Sequence, residues 1–339
     1  VTRRSARDSY DHVTQEDFDR PRRRTRPRTK DRPTYDDAVD ALVVTVDRGR
    51  YTVRLREEPD RVVTAMKSRP LGRKGVVVGD RVRLVGDTTG DEGSLARIVE
   101  VQERTTVLRR TADDDDPVER VIVANAEQLV VVVALAEPEP RTGLVDRAIA
   151  AAYDAGIEPL LCLTKADLAD PAPLVEVYRP LDVAYVVTQR GADVAPVLER
   201  LVGRTSVLLG HSGVGKSTLV NALVPGAHRA VGVVNDVTGR GRHTSTSALM
   251  LRLPEASGGG WIVDTPGIRS FGLAHLQPQS LLRSFPDLDD LAVDCPRGCT
   301  HAASEPECAL DEAVAAGTVE EARVSSYRRL LSSRDAPRG

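Results

Sequence analysis

The sequence predicts an α/β protein built on a phosphate-binding loop, preceded by a small β-barrel and followed by a short, mainly helical, metal-stapled segment. Three observations carry this. Between residues 121 and 209, continuous apolar runs alternate with helical patterns, as in a mainly parallel sheet buried on both faces. Residues 210–217 read GHSGVGKS, fitting GxxxxGKS, between an apolar strand end at 207–209 and a helical start at 218–223. Strand, glycine loop and helix in that order are the context a P-loop requires. From residue 41 to about 108, short segments alternate apolar and polar side chains with the period of strands.

Length and charge bound the rest. A chain of 339 residues accommodates two or three domains, and a net charge of −3 confines any nucleic-acid surface to a local patch. No segment approaches the roughly 18 uninterrupted apolar residues of a membrane helix, and the first residues lack the apolar core of a signal peptide. A cytoplasmic protein without membrane contact, acting as a monomer, is the expectation. Of the cysteines Cys162, Cys295, Cys299 and Cys308, the last three fall within fourteen positions, which in a reducing compartment points to metal. Cys162 lies inside an apolar run and reads as an inert buried thiol.

In chain order, residues 1–37 are polar and charged and predict a disordered tail with a proline-broken basic run at 20–32. Such a run suits phosphate neutralisation or simply solvation. Residues 38–110 predict the barrel. Tyr51, Val53 and Leu55 alternate with Thr52, Arg54 and Arg56; a Gly79-Asp80 turn separates 76–78 from Val82 and Leu84; a further strand spans 96–101. An oligonucleotide/oligosaccharide-binding (OB) barrel is preferred over an SH3-like one. Its arginines make RNA binding plausible, although aromatic stacking residues are few. Asp113, Asp116 and the acidic residues between them, with Pro117, predict a linker. The α/β domain then runs over 117–275, with strands at 121–124, 129–135 and 160–163 and a helix at 141–155 closed by Gly156. A C-terminal segment occupies 276–339.

The chemistry gathers at strand ends. In the P-loop, Gly210, His211, Ser212, Gly213, Val214, Gly215, Lys216, Ser217 and Thr218 offer backbone N–H groups and a helix start to a triphosphate. Lys216 reaches the β- and γ-phosphates and Ser217 can ligate Mg²⁺. Thr164, Lys165, Ala166 and Asp167 follow the 160–163 strand. A carboxylate there accepts the ring imino and exocyclic amino protons of guanine; adenine would leave it buried and unpaired, at a cost of roughly 1–3 kcal/mol. Lys165 can cover the base with its stem. Trp261, Ile262 and Val263 end a strand that opens into Asp264-Thr265-Pro266-Gly267; Asp264 suits Mg²⁺ through water and the Gly267 N–H suits the γ-phosphate. The loop 238–246 carries Thr244, a candidate for Mg²⁺ and the γ-phosphate.

Most small GTPases run P-loop, switch threonine, DxxG, then NKxD. Here TKAD precedes the P-loop, so the predicted fold is a circularly permuted P-loop GTPase domain between an N-terminal OB barrel and a C-terminal zinc-binding domain. With TKAD, GHSGVGKST, GRGRHTS, DTPG and the Cys/His cluster in this order, the chain over about 40–335 resembles the ribosome small-subunit-dependent GTPase A family (RsgA, also called YjeQ/YloQ). The resemblance implies a GTPase stimulated by the small ribosomal subunit that acts late in its assembly. Two departures stand out. Thr164 replaces the usual Asn, implying looser bonding to the P-loop, and only Val187-Thr188 and Gly191 represent the base-contacting serine-rich motif. Ile268 stands where Ras-like enzymes orient water with glutamine. The resemblance points instead to His243, which orients water, contacts RNA or holds its loop.

Cys295, Cys299, His301 and Cys308 supply a full tetrahedral zinc set with no open position, hence a structural site. Their spacing is C-x3-C-x-H-x6-C, whereas relatives usually show C-x4-C-x-H-x5-C. Beyond them a short helix ends at Gly317, a capping box at 318–321 opens a last helix, and Arg323, Arg328 and Arg329 give that helix a basic side read as an RNA-gripping surface. The implied partners are GTP or GDP with Mg²⁺, zinc, and small-subunit rRNA. A GTP-gated RNA-binding protein with incidental hydrolysis is the alternative; a nucleotide kinase would leave TKAD and DTPG without purpose.

Overall fold

The first five strands, β1 (Val39–Asp47), β2 (Arg50–Leu55), β3 (Val62–Lys67), β4 (Arg81–Gly86) and β5 (Ala96–Val101), belong to a computed structural model that describes residues 35–72, 75–113, 116–227, 248–265 and 278–333. They pair in the order β1-β2-β3-β5-β4 and close through β1–β4, with β3 and β5 parallel. That is the connectivity of an OB barrel rather than an SH3-like one. Period-two alternation drives the closure: Val43, Val53, Val63, Val82, Leu84 and Ile98 fill one interior, while Arg54, Arg81 and Arg83 stay half-buried or exposed.

Next comes a separate antiparallel ribbon of β6 (Val107–Asp113) and β7 (Asp116–Ala124). Two expectations are corrected here. The acidic run is not an interdomain linker, because Asp113 pairs with Asp116 across this hairpin. Nor is 121–124 a strand of the parallel sheet. A four-residue apolar run looks alike whether a strand is buried by helices or by another domain. Here the cover is the barrel: Ala124 N–H donates to Val78 O (3.0 Å) and Gly79 N–H to Val43 O (2.9 Å). Gly79 has φ +86°, and a Cβ there would lie 2.0 Å from Ala124 O, so only glycine fits. Fully buried Asp80 accepts from Val77 N–H (2.8 Å) and bidentately from Arg104 (2.7 and 2.8 Å). The junction is therefore tight and hydrogen-bonded throughout.

Five parallel strands form the second domain's sheet: β8 (Gln128–Ala134), β9 (Glu158–Thr164), β10 (Ala184–Val187), β11 (Thr205–Leu209) and β13 (Trp261–Asp264), in the order β10-β9-β8-β11-β13. β12 (Leu249–Arg252) is antiparallel beside β13, and its other edge meets β1 at Thr45↔Leu249, so sheet and barrel are continuous. Leu129, Val131 and Val133 of β8 enter one core; Val130, Val132 and Ala134 enter the other. α1 (Thr142–Asp154) and α2 (Ala172–Tyr178) cover the first face, α3 (Ala195–Leu201) and α4 (Lys216–Leu223) the second. α1 buries Leu144, Val145, Ala148, Ile149 and Ala152 along one stripe and ends at Gly156 (φ 66°). Cys162 is fully buried, which pushes its thiol up to about 12.

The C-terminal helices are α5 (Pro278–Arg283), α6 (Pro286–Leu291), α7 (Ala309–Ala315) and α8 (Glu321–Ser333). α8 starts at Glu321, the last residue of the predicted capping box, rather than just after Thr318. Thr318 N–H instead bonds Ala313 O (2.9 Å) and closes α7, with Gly317 at φ 73°. Leu281, Phe285, Leu288, Val324, Tyr327 and Leu330 join the core that α1 occupies. Phe285 stacks edge-on between Tyr153 (5.1 Å) and Tyr327 (5.6 Å).

The basic side of α8 is also corrected, because all three arginines are consumed internally. Arg323 forks onto Asp287 (3.0 and 2.8 Å) and Pro180 O (2.7 Å), and lies over the Phe285 ring. Arg328 forks onto Asp311 (2.6 and 2.8 Å) and reaches His301 O (3.0 Å). Arg329 meets Asp146 of α1 (3.2 and 3.1 Å). Helical periodicity groups charges on one side; it says nothing of an acceptor 183 residues away.

Asp146 is 4% exposed, and burial pushes its carboxyl up against the pull of Arg329. Removing the arginine therefore strands a buried charge. Arg329→Met is expected to destabilise by about 2–3 kcal/mol in denaturant unfolding, below the usual cost for a fully buried pair because Arg329 is partly exposed. Adding Asp146→Asn should restore most of the loss. A carboxyl whose folded pKa is raised contributes stability only while protonated, so the deficit of the single variant should grow as pH rises from about 4 to 7. An equal deficit at both pH values would contradict this account.

Candidate functional site

Because β8, β9, β11 and β13 are parallel, their carboxyl ends open on one edge of the sheet, where α/β proteins bind ligands. β11 delivers the P-loop there. A Cβ on Gly210 would lie 2.8 Å from Val132 O and 2.9 Å from Val214 Cγ2, so the chain turns only with glycine. Gly213 (φ 87°) and Gly215 (φ 93°) take left-handed conformations, the second as the N-cap of α4. Val214 is buried and anchors the loop, while Ser212, Gly213, Ser217 and Thr218 are exposed and His211 is half-exposed. His211 Nδ1 lies 2.8 Å from Ser212 O.

Thr164 ends β9 two strands away and still reaches this loop. Its hydroxyl donates to Val214 O at 2.6 Å, with Val133 O at 3.3 Å. The looser tie expected from Thr in place of Asn is therefore corrected: the shorter side chain is compensated by burial at 6% exposure and a short bond. Lys165 follows at φ 60° and its ammonium donates to Glu137 O. Ala166 N–H donates to Thr188 O (3.3 Å) and Thr188 N–H to Leu163 O (2.8 Å), which sets 187–188 beside TKAD. Asp167, expected to be a buried carboxylate, is exposed together with Leu168.

From β13, Asp264 takes Lys216 Nζ in an ion pair of 2.8 Å. The same ammonium donates to Thr265 O (2.8 Å), and Thr265 Oγ1 donates to Leu208 O (2.7 Å). Sequence reasoning missed Thr265 and the Glu137-Pro138 turn, whose Pro138 Cδ lies 3.7 Å from where a Gly213 side chain would begin. The available signal was two prolines, Pro138 and Pro140, just beyond a buried strand end. Gly267, His243, Thr244 and Ile268 lie outside the described residues.

Cys295, Cys299, His301 and Cys308 converge, with ligand atoms all within 4.8 Å of one another. His301 Nδ1 lies 3.5 Å from Cys295 Sγ and Cys299 Sγ and 3.9 Å from Cys308 Sγ, and Cys295 Sγ lies 4.0 Å from Cys308 Sγ. A tetrahedron of bonds about 2.3 Å to sulfur and about 2.0 Å to nitrogen has edges of about 3.8 and 3.5 Å. The set fits a tetrahedral metal ion despite its shifted spacing. Ala309 N–H donates to Cys295 Sγ (3.3 Å) and His301 N–H to Cys299 Sγ (3.4 Å), bonds that favour thiolates. Burial, with the neighbouring thiols Cys308 and Cys299, pushes the Cys295 thiol up to about 11, and burial with Arg328 lowers His301; a bound cation would offset the first effect and profit from the second.

Comparison with known proteins agrees with this geometry. The family model described as RsgA GTPase matches residues 101–274. The small ribosomal subunit biogenesis GTPase RsgA of Pseudomonas fluorescens is 40% identical over 267 residues, covering 76% of this chain and 75% of that one. The protein of the same name from Ectopseudomonas mendocina is 42% identical over 221 residues, and this match spans 63% of its length. Among solved structures, YjeQ from Thermotoga maritima superposes with a TM-score of 0.63 at 28% identity, covering 89% of this chain and all of that one. YloQ, a circularly permuted GTPase, gives 0.62 at 24% identity over 91% of this chain, a likeness of fold. With TKAD bonded to the P-loop across a permuted sheet and a Cys/His cluster behind it, the chain belongs to the RsgA GTPase family.

Proposed function

We propose that this protein hydrolyses GTP to GDP and phosphate, binds the small ribosomal subunit in the cytoplasm, assists its late maturation and leaves on hydrolysis. The observation that carries the reading is the bond from Thr164 Oγ1 to Val214 O, which joins the guanine-type motif to the phosphate loop although the chain makes them in reversed order. Family membership and the names of the relatives support the ribosomal part. Among the described residues no helix is long and apolar enough to cross a membrane.

In this reading Asp167 takes the guanine edge and Lys165 covers the base. The N–H groups of 210–218 surround the phosphates. Lys216 now neutralises Asp264 and would transfer to the phosphates on binding, leaving Asp264 for the shell of Mg²⁺ beside Ser217 and Thr244. Mg²⁺ supplies charge neutralisation at the phosphates. The Gly267 N–H senses the γ-phosphate, and His243 orients the attacking water. The metal at Cys295, Cys299, His301 and Cys308 is zinc, with a structural role. Since Arg323, Arg328 and Arg329 are paired internally, RNA contact falls chiefly to the barrel, where Arg56 and Arg81 are exposed.

Four kinds of measurement test this: turnover, subunit release, nucleotide calorimetry and metal content. Phosphate release should be specific for GTP over ATP and rise at least tenfold with purified small subunits. His243→Ala should abolish that rise, and a non-hydrolysable GTP analogue should keep the protein on the subunit; unchanged turnover or release would sink those assignments. Thr164→Val should weaken GTP binding about five- to tenfold in calorimetry, for loss of one buried hydrogen bond. Elemental analysis should find one zinc per chain, lost in Cys295→Ser with a lowered unfolding temperature; a clearly substoichiometric content in the intact protein would count against the site.

A further inference from the structure

Away from the phosphate edge, at the amino ends of the parallel strands, the barrel and the sheet enclose a cleft of about 500 Å³. This is the size of a small-ligand site. Arg54, Arg56 and Arg81 line it from the barrel, Arg252 and Trp261 from β12 and β13. Trp261 is the chain's only tryptophan and is half-buried. The acidic groups on the walls already have partners: Asp40 accepts from Gln102 (3.1 Å), Glu127 from Thr205 N–H (2.8 Å), and Glu255 is paired with Arg252.

Arg252 is matched by Glu255 and Asp60, but Arg54 and the rim arginines are less well compensated. Arg54 donates to a neutral carbonyl, Pro59 O (2.6 Å). Burial lowers its pKa and Arg252 nearby lowers it further, against the pull of Asp60. Asp60 pairs with Arg252 at 3.2 Å but is 94% exposed, so this pair is weak in water. Arg56 lies 3.8 Å from Asp40 and is 79% exposed. Two half-buried cations held close together, two more at the rim and one indole form an arrangement that a planar base bearing a phosphate complements, by stacking and by forked hydrogen bonds.

We propose that this cleft binds one nucleotide unit of single-stranded RNA, its base against Trp261 and its phosphate on Arg54, Arg81 and Arg252. The inference rests on the RNA-docking reading above and gives it a site distinct from the P-loop. RNA is preferred over a free nucleotide because Arg56 and Arg81 extend the basic lining to the exposed rim, where neighbouring phosphates of a strand would pass.

The sole tryptophan makes the test direct. The full-length protein, saturated with GDP to fill the P-loop, is titrated with a uridine octaribonucleotide and, separately, with UMP, while Trp261 emission and the anisotropy of labelled octamer are followed. Saturable quenching by the octamer is expected, with affinity falling as salt rises and UMP binding at least tenfold more weakly. Arg81→Gln, at an exposed position, should weaken the octamer about three- to tenfold, and Arg54→Ala/Arg81→Gln at least tenfold. Equal quenching by UMP and octamer would overturn the RNA assignment in favour of a free nucleotide. Rising anisotropy with unchanged Trp261 emission would overturn the cleft while leaving RNA docking elsewhere intact. No anisotropy change at low salt would remove both readings.

Discussion

The parallel pairing of β11 against β8 is the contact on which the site depends. β8 and β9 come from the chain well before the P-loop, β11 leads directly into it and β13 follows it. The register Leu208↔Val130 and Leu209↔Val131 brings the two sets level, so their carboxyl ends share one edge. From that alignment follow the bond between Thr164 and Val214 and the ion pair between Lys216 and Asp264. A one-residue slip would turn the outward side of β11 inward and exchange its two buried faces. Both cores therefore hold the register, because Val207 and Leu209 belong to one and Leu208 to the other.

The C-terminal segment follows a different logic. It has too few apolar residues to stand alone and does not: Phe285, Tyr327 and Leu330 complete the core over α1. Its arginines then act as fasteners. Arg328 ties α8 both to Asp311 of α7 and to the backbone of the metal ligand His301, while Arg329 ties the same helix to α1. Metal loop, last helix and α1 of the GTPase domain are thus linked through adjacent residues of one helix.

Much of this was legible in the chain. Strands buried on both faces read as apolar runs, and the phosphate loop, TKAD and the Cys/His set are short-range patterns whose spacing carries their chemistry. What could not be read was partnership at a distance. Four apolar residues at 121–124 do not reveal whether helices or a barrel cover them. A row of Arg323, Arg328 and Arg329 is the same string whether it faces RNA or Asp287, Asp311 and Asp146. Asp167 illustrates the converse: its motif describes the ligand-bound state, whereas the polypeptide alone leaves the carboxylate in solvent.

The strand order also has a consequence for synthesis. A chain made from its amino end produces the barrel and then β8, β9 and β10, which can assemble as each emerges. These leave two waiting edges, β1 on the barrel and β8 on the half-built sheet, with a three-strand gap between them. β11, β12 and β13 are made last, and all three belong in that gap. The nascent protein therefore completes its sheet from the middle, like a keystone set between two standing sides. Until β13 pairs with it, the P-loop strand β11 has only β8 as a flank.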